Sequence, residues 1–150
     1  MAPNVLCPLC PPARPVLAEN AFWRLALNEN QATLGRVYCA LKRHETDVTA
    51  LAPEEVLSLW RLAGQARRAL ESLFAPNHFN YLFHMNLTPH VHMHIYPRYG
   101  SPRLFAGQVF ADTRFGDHYD PQEINILDAA TDSLLVNALR QAMGAQGGQE

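Results

Sequence analysis

The fold is decided by the stretch HVHMHIYP, residues 90–97, in which three histidines alternate with apolar side chains. Successive side chains of a β-strand point to opposite faces of the sheet. The period of two therefore predicts a strand with His90, His92 and His94 on one face and a buried apolar face opposite. One polar residue on the solvent side of a strand is ordinary, whereas three of the chain's seven histidines within this stretch indicate a functional face.

The neighbouring segments predict the rest of a sheet. Alternation at residues 79–85 predicts a partner strand, joined to the strand at 91–97 through the short link NLTP. Residues 22–28 and 35–41 predict an upstream hairpin. The proline-rich residues 1–20 predict an irregular arm.

Two helices are predicted from apolar side chains at three- and four-residue intervals. The first begins at Pro53 and ends before Pro76, and the second begins at Asp120 behind an ordered loop at residues 100–119. The apolar stripe predicted for the first helix comprises Val56, Leu59, Trp60, Ala63, Ala66, Leu70, Leu73 and Phe74. The order ββαββα predicts an α+β domain, an antiparallel sheet with a long helix and a C-terminal helix packed on it.

Length and composition restrict the classes of function. A chain of 150 residues with 48% hydrophobic and 17% charged residues predicts one folded domain, residues 1–143, and a frayed tail at 144–150. A net charge of −2 excludes the broad positive field that holds a nucleic-acid polymer. No apolar run approaches the roughly 18 residues of a membrane helix. We therefore expect a cytoplasmic protein without a membrane partner.

Two chemistries are open to the three histidines. One metal ion cannot take all of them, because His90 and His94 lie about 13 Å apart along an extended strand and zinc–nitrogen bonds are about 2.1 Å. Two histidines at this spacing can still chelate an ion with ligands from elsewhere. Alternatively, a neutral imidazole with an ordinary pKa of about 6.5 serves as a nucleophile, its other nitrogen fixed by a hydrogen bond.

The pattern HVHMHIY resembles the signature of the histidine triad family of nucleotide hydrolases and transferases. The segment LALNENQATLGRVYCALKRHE, residues 25–45, resembles the upstream hairpin of that family, and the likeness covers residues 22–98. The resemblance implies an α+β unit that pairs with a second copy into one continuous sheet. It also implies a small nucleotide substrate, attacked at its α-phosphorus by the central histidine, and no organic cofactor.

Carried over by resemblance, His92 is the nucleophile that forms a nucleotidyl-imidazole, which water then cleaves. His94 hydrogen-bonds the phosphate region as charge builds. Asn80 supplies an amide near the phosphate or leaving group. Asn28 hydrogen-bonds the ribose hydroxyls, although an asparagine that ends a strand in a turn is also ordinary.

The chain departs from the family pattern before the triad and after the glycine of the hairpin. Leu87 stands where many relatives have a Ser or Thr that contacts the phosphate, so Asn86 or Thr88 is the expected substitute. Arg36 stands where a histidine is common. These departures keep a second interpretation open, a nucleotide-binding or signalling module without turnover.

The pair Cys7 and Cys10 forms a C-x-x-C motif, which fits either a zinc site or two thiols without metal. The resemblance implies that His44 and His90 complete a structural zinc site, which would tie the arm to the strand of His92. Arg98 and Arg103 follow the triad strand, where a contact to a distal phosphate and a solvated position are both open.

Three other histidines, His78, His84 and His118, are predicted at the surface or in turns. Trp23 and Trp60 are predicted in the core, and Cys39 as a buried small side chain.

Overall fold

The computed structural model describes residues 6–145. Residues 1–5 and 146–150, which include most of the predicted tail, lie outside the described part. The strands are β1 Val16–Glu19, β2 Trp23–Leu27, β3 Val37–Leu41, β4 His78–Leu82, β5 His92–Arg98, β6 Arg103–Phe105 and β7 Gln108–Phe110. The helices are α1 Pro53–Phe74 and α2 Ala129–Gly144, with a short 3-10 turn at Val48–Ala50.

Five strands form one antiparallel sheet in the order β1-β2-β3-β5-β4, which confirms the predicted α+β class. The histidine strand β5 lies between β3 and β4. In the register of the sheet, Tyr38 of β3 and Leu82 of β4 both face His94, and Ala40 faces His92. The pattern that predicted β5 therefore lies inside the sheet, where one face is covered by helix and the other carries the histidines.

The apolar face of the histidine strand is buried, as the alternation predicts. Val91, Met93 and Ile95 are each 0% exposed and belong to the main core. Helix α1 covers this face, and Gly35 allows its close approach, because a Cβ at Gly35 would lie 2.5 Å from Leu70 Cδ2. The positive φ of +83° at Gly35 also suits glycine.

The predicted stripe of α1 is only partly correct. Leu59, Ala63, Ala66, Leu70 and Phe74 are buried, together with Leu62 and Ala69. Trp60, however, is 50% exposed and contacts the ring of Tyr81 at 6.0 Å rather than entering the core. The apolar pattern of α1 is therefore wider than the face that enters the core.

The arm and the central loop are more regular than predicted. Residues 16–19 of the arm form β1, which pairs with β2 at the edge of the sheet. The loop at 100–119 contains the β6–β7 hairpin. The connection between β4 and β5 spans residues 83–91, longer than the predicted NLTP link.

The predicted start of the C-terminal helix at Asp120 is wrong. Helix α2 begins at Ala129, where the carboxylate of Asp128 accepts from the Thr131 amide. The residues before it are held elsewhere, because Asn125 accepts a backbone hydrogen bond from Gln31 and Ile126 forms a β-bridge with Asn30. A segment whose backbone pairs with another segment cannot also close helical hydrogen bonds.

No helix within residues 6–145 has the length and apolar character needed to cross a bilayer.

Candidate active site and metal centre

The polar face of the sheet forms the floor of a cavity of about 530 Å³, a size typical of small-molecule sites. His92 and His94 both line it. Tyr38 from β3 stands beside them, with its ring centre 6.4 Å from each imidazole. The cavity therefore presents two of the three histidines of the motif to one bound molecule.

The backbone fixes the orientation of the His92 ring. Its Nδ1 lies 2.6 Å from the carbonyl oxygen of His90. A carbonyl oxygen only accepts, so Nδ1 carries the proton and the Nε2 lone pair remains available. This arrangement of an imidazole, with one nitrogen anchored and the other free, is what a nucleophile requires.

His94 completes the pair. Its Nε2 lies 3.2 Å from Nε2 of His92. Because the His92 nitrogen is the acceptor, His94 Nε2 donates the proton between them. The Nδ1 of His94 is buried and has no hydrogen-bond partner within the described residues. A ligand oxygen placed above the pair can take over the Nε2 proton as a hydrogen bond.

Burial keeps the histidines of the cavity uncharged at neutral pH. Burial lowers the pKa of His92, and the hydrogen bond to the His90 carbonyl offsets part of that shift. Burial lowers the pKa of His94 to about 3, with smaller contributions from His92, Arg36 and His84. Burial likewise lowers the pKa of His84.

A chain of polar and aromatic contacts forms the wall beyond His94. The Arg36 guanidinium donates to the Tyr96 hydroxyl at 2.8 Å and lies 4.4 Å from the centre of that ring. Tyr119 stacks on Tyr96 with ring centres 4.5 Å apart, and its hydroxyl lies 2.8 Å from Nε2 of His84. Burial lowers the pKa of Arg36, and the two tyrosines raise it.

Most of the predicted nucleotide contacts lie at this cavity. Asn28, Asn86 and Thr88 line it. Asn28 also accepts from the Asn30 amide at 2.9 Å, so its oxygen takes part in the turn that was the alternative interpretation. Leu87 is 98% exposed at the mouth.

Asn80 lies on the same sheet face, opposite Tyr96 in the register, but in a neighbouring cavity. Its side-chain oxygen accepts from Arg98 at 3.0 Å.

Cys7, Cys10, His44 and His90 come together in a second cluster on the other side of His92. Their four potential ligand atoms all lie within 4.8 Å of one another. His90 Nδ1 is 3.4 Å from the Cys7 sulfur and 3.2 Å from Nδ1 of His44. The sulfur of Cys10 is 3.4 Å from that same His44 nitrogen.

The cluster fits a zinc ion. Bonds of about 2.1 Å to nitrogen and 2.3 Å to sulfur in a tetrahedron separate the ligand atoms by roughly 3.4–3.8 Å, close to the spacings found. The Nε2 of His90 lies 2.7 Å from the carbonyl oxygen of Leu41, so it carries the proton and Nδ1 offers its lone pair to the cluster. Four side chains would occupy every tetrahedral position, which describes a structural site.

Several residues of the cavity were not predicted from the sequence. The sequence places His84 at the surface or in a turn, and it predicts no role for Tyr96 or Tyr119. The period of two extends from His92 to Tyr96 and places Tyr96 on the same face, so that signal was present. Tyr119 comes from the segment before α2, and the sequence carries no pattern that brings it to the sheet.

Comparison with known proteins identifies the fold of the chain. No protein-family model and no curated protein matches the sequence. Among solved structures, a zinc-bound histidine triad family protein from Mycobacterium smegmatis has 19% identity and a TM-score of 0.65, with 97% of this chain and 96% of that chain covered. A Hit-like protein from Bartonella henselae has 14% identity and a TM-score of 0.68, with 93% and 95% covered.

A third similar structure is the diadenosine triphosphate hydrolase of Plasmodium falciparum, at 13% identity and a TM-score of 0.59, with 89% of this chain and 77% of that chain covered. At such low identities, the agreement lies in the fold rather than in the details of the sites. The α+β sheet and helices described above, read with these likenesses, confirm the predicted resemblance: the chain has the fold of the histidine triad proteins.

Proposed function

We propose that this protein is a histidine triad nucleotidyl hydrolase or transferase that cleaves at the α-phosphate of a nucleotide through a covalent intermediate on His92. One observation carries the proposal. The His92 ring is anchored through Nδ1 to the His90 carbonyl at 2.6 Å, and the ring lines a nucleotide-sized cavity. The likeness to a structure described as a diadenosine triphosphate hydrolase supports the substrate class.

In the first step, the Nε2 lone pair of His92 attacks the α-phosphorus. The bond between phosphorus and the leaving group breaks, and the leaving group takes the bonding electrons. In the second step, water attacks the same phosphorus and releases a proton to the solvent, the electron pair of the phosphorus–nitrogen bond returns to Nε2 as that bond breaks, and a nucleoside monophosphate leaves. Dividing one displacement into two easier ones is the advantage of a covalent nucleophile. In a transferase, another acceptor takes the place of water.

The other side chains of the cavity hold the substrate. The Nε2 proton of His94 hydrogen-bonds a phosphate oxygen as its charge grows, which is the role of a positioned donor in a dry site. Asn28 contacts the ribose hydroxyls, and Asn86 and Thr88 contact the phosphate from the β4–β5 connection. Asn80 joins this set because it lies on the same sheet face, and its amide would have to turn from Arg98 to reach the phosphate.

Trapping of the intermediate tests the proposal. Wild-type protein is mixed with diadenosine triphosphate or adenosine 5′-phosphoramidate, quenched, and measured by intact-protein mass spectrometry. We expect a nucleotidyl adduct on the wild type and none on His92→Asn. The matched control is His78→Asn, a histidine exposed at the start of β4 and outside the cavity.

A second candidate, the nucleotide-binding module without turnover, is favoured by one observation. Leu87 offers no donor where many relatives carry a hydroxyl. Tight binding of nucleotide without adduct and without product would establish this module and overturn the enzyme.

We further propose that Cys7, Cys10, His44 and His90 hold a structural zinc ion. The convergence of four ligand atoms supports this, as does the likeness to a structure described as zinc-bound. In this role the ion ties the arm before β1 to the strand of His92 and takes no part in the reaction. Metal analysis of gently purified protein should give about one zinc per chain, and protein without zinc would refute the site.

We also propose a homodimer that continues the sheet. Strand β4 is an outer strand, and an unpaired strand edge is a template for a second copy. Beside it, α1 exposes Trp60, whose ring contacts Tyr81 of β4. Sedimentation velocity should give a dimer that Trp60→Glu dissociates. Leu134→Glu, which changes an exposed leucine on α2, is the control. A monomeric wild type would contradict the dimer.

A further inference from the structure

Arg36 is a half-buried cation in the cavity without a carboxylate partner within residues 6–145. Within residues 6–145 the guanidinium donates one hydrogen bond to another residue, to the neutral Tyr96 hydroxyl, and its Nε is buried without any acceptor in that part of the chain. The face of the Tyr96 ring compensates only part of the lost hydration. A charge in this position gains most from an anion that enters with the substrate.

Arg14 and Arg98, two other arginines in or near the cavity, differ from Arg36 because each has a carboxylate partner. Arg14 also lines the cavity, but its guanidinium contacts the Asp132 carboxylate. Arg98, which was considered for a distal phosphate, is 2% exposed and forms a two-pronged ion pair with Asp112. Both charges are therefore balanced by the protein, whereas that of Arg36 is not.

The position of Arg36 separates it from the phosphate under attack. Tyr96, which it contacts, lies two residues beyond His94 on the same face of β5. The ring centres run in a row, 4.9 Å from His92 to His94 and 5.7 Å from His94 to Tyr96, with Arg36 at the far end. An α-phosphate at His92 thus leaves Arg36 to meet a more distant group of the same molecule.

We propose that Arg36 binds a second phosphate, carried by the departing group, and so selects nucleotides with an anionic leaving group over phosphoramidates. This inference rests on the proposed function and deepens it. An amine departs well only after it gains a proton, whereas a phosphate departs as an anion and needs positive charge. A guanidinium is a poor proton donor but a permanent cation with a fork of donors that matches phosphate. The residue therefore suits the second kind of leaving group.

The wall behind Arg36 positions it for this role. Tyr119 stacks on Tyr96 and is held by His84, so the ring under the guanidinium has one orientation. Arg36 itself lines the cavity, and within residues 6–145 its guanidinium donates to no side chain other than Tyr96.

Equilibrium binding tests the inference without turnover. The inactive His92→Asn protein is titrated with ADP and with AMP, and in parallel with GDP and GMP, by calorimetry. A charge-assisted contact to the second phosphate should make the diphosphate bind about 10- to 100-fold more tightly than the monophosphate. Adding Arg36→Met should reduce that ratio to less than about threefold. Arg36→Lys should restore part of it, because the charge returns without the fork.

Arg67→Met is the control, because it makes the same change on an exposed helix surface outside the cavity. Thermal unfolding shows whether each variant is folded. If Arg36→Met does not fold, the ratio of diphosphate to monophosphate affinity is measured with Arg36→Lys and Arg36→Gln instead. An equal loss of affinity for diphosphate and monophosphate would overturn the inference, since it describes a packing role. A diphosphate preference that survives Arg36→Met would overturn it too.

Kinetics separates this inference from the proposed function. In the active protein, Arg36→Met should lower the ratio of kcat/KM for diadenosine triphosphate to kcat/KM for adenosine 5′-phosphoramidate by about 10-fold or more. If the wild type turns over neither substrate, the proposed function fails while the binding ratio still decides the role of Arg36. If turnover occurs and the ratio is unchanged, only the inference fails.

Discussion

Two regions of the molecule place histidines two residues apart in the sequence in different surroundings. His90 lies in the Cys/His cluster, while His92, two residues later, lies at the cavity. The difference is set by the backbone acceptor that each ring meets. His90 gives its Nε2 proton to Leu41, and His92 gives its Nδ1 proton to His90. Opposite nitrogens are therefore left free, one toward two sulfurs and the other toward a ligand.

In the roles proposed for these two histidines, the hydrogen bond of one ring nitrogen determines which nitrogen the ring offers to a metal or a substrate. Both rings are buried, and burial lowers the pKa of each. Neutral imidazole is required for both jobs, as metal ligand and as nucleophile. The strand supplies the alternation, and the neighbouring carbonyl groups decide which atom of each ring reacts.

The substitution His92→Asn should have the largest effect, because it removes the histidine at the cavity and leaves His90 in the cluster. We expect kcat/KM to fall by about 10³-fold or more, because the amide nitrogen of asparagine is not a nucleophile. The melting temperature should change little, since the ring contributes no metal ligand. Steady-state kinetics and thermal unfolding measure the two effects. If the variant keeps its turnover, His92 is not the nucleophile.

Removal of zinc should act mainly on the melting temperature, whereas His92→Asn acts mainly on kcat/KM. Chelation is expected to lower the melting temperature by on the order of 10 °C, as an ion present at 100 to 1,000 times its Kd stabilises by about 3–4 kcal/mol. Cys7→Ser should start from the lowered value and respond little to the chelator. Differential scanning calorimetry with and without chelator measures this. If the chelator leaves the melting temperature unchanged, the cluster does not hold a structural zinc ion.

His94→Asn sharpens the distinction inside the cavity. Loss of one positioned donor should lower kcat by about 100-fold or more, less than the loss of the nucleophile. The nucleotidyl adduct should still form, but slowly, because Nε2 of His92 remains free. Rapid-quench mass spectrometry follows its appearance. An adduct that forms at the wild-type rate would show that His94 does not act in the first step.

Asn28→Ala should give the smallest effect. A single neutral hydrogen bond to ribose is worth about 1 kcal/mol, which corresponds to a rise in KM of about fivefold. The 2′,3′-dideoxy form of the same substrate provides the matched comparison, since it should show no further loss in the variant. If Asn28→Ala instead lowers the melting temperature and leaves KM unchanged, its hydrogen bond to Asn30 is the main role.

The sheet could largely be predicted from the sequence, whereas the ends of its elements could not. Alternation around His92 and the apolar intervals of α1 are local patterns, and both elements are found where expected. The start of α2 depends on Asn125 and its backbone contact with Gln31, a partner distant in sequence. A capping signal at Asp120 cannot compete with that pairing, and the sequence contains no local sign of it.

The candidate site divides in the same way. His92, His94 and the four cluster residues were identified from motif and resemblance, and the structure brings each group together. The unbalanced charge of Arg36 was not evident, because only the fold shows which arginines have a carboxylate beside them. The sequence supplies both charges of every ion pair but not their distances.

The sequence by itself determined the strand of alternating histidines, the amphipathic helix that covers it and the Cys-x-x-Cys pair, because each depends on the period of the backbone or on residues a few positions apart. The tertiary structure alone decided which nitrogen of His90 and of His92 meets a backbone carbonyl, and which arginine of the cavity lacks a counter-ion. These properties depend on carbonyl and carboxylate groups brought from distant parts of the chain, and on the water that burial excludes.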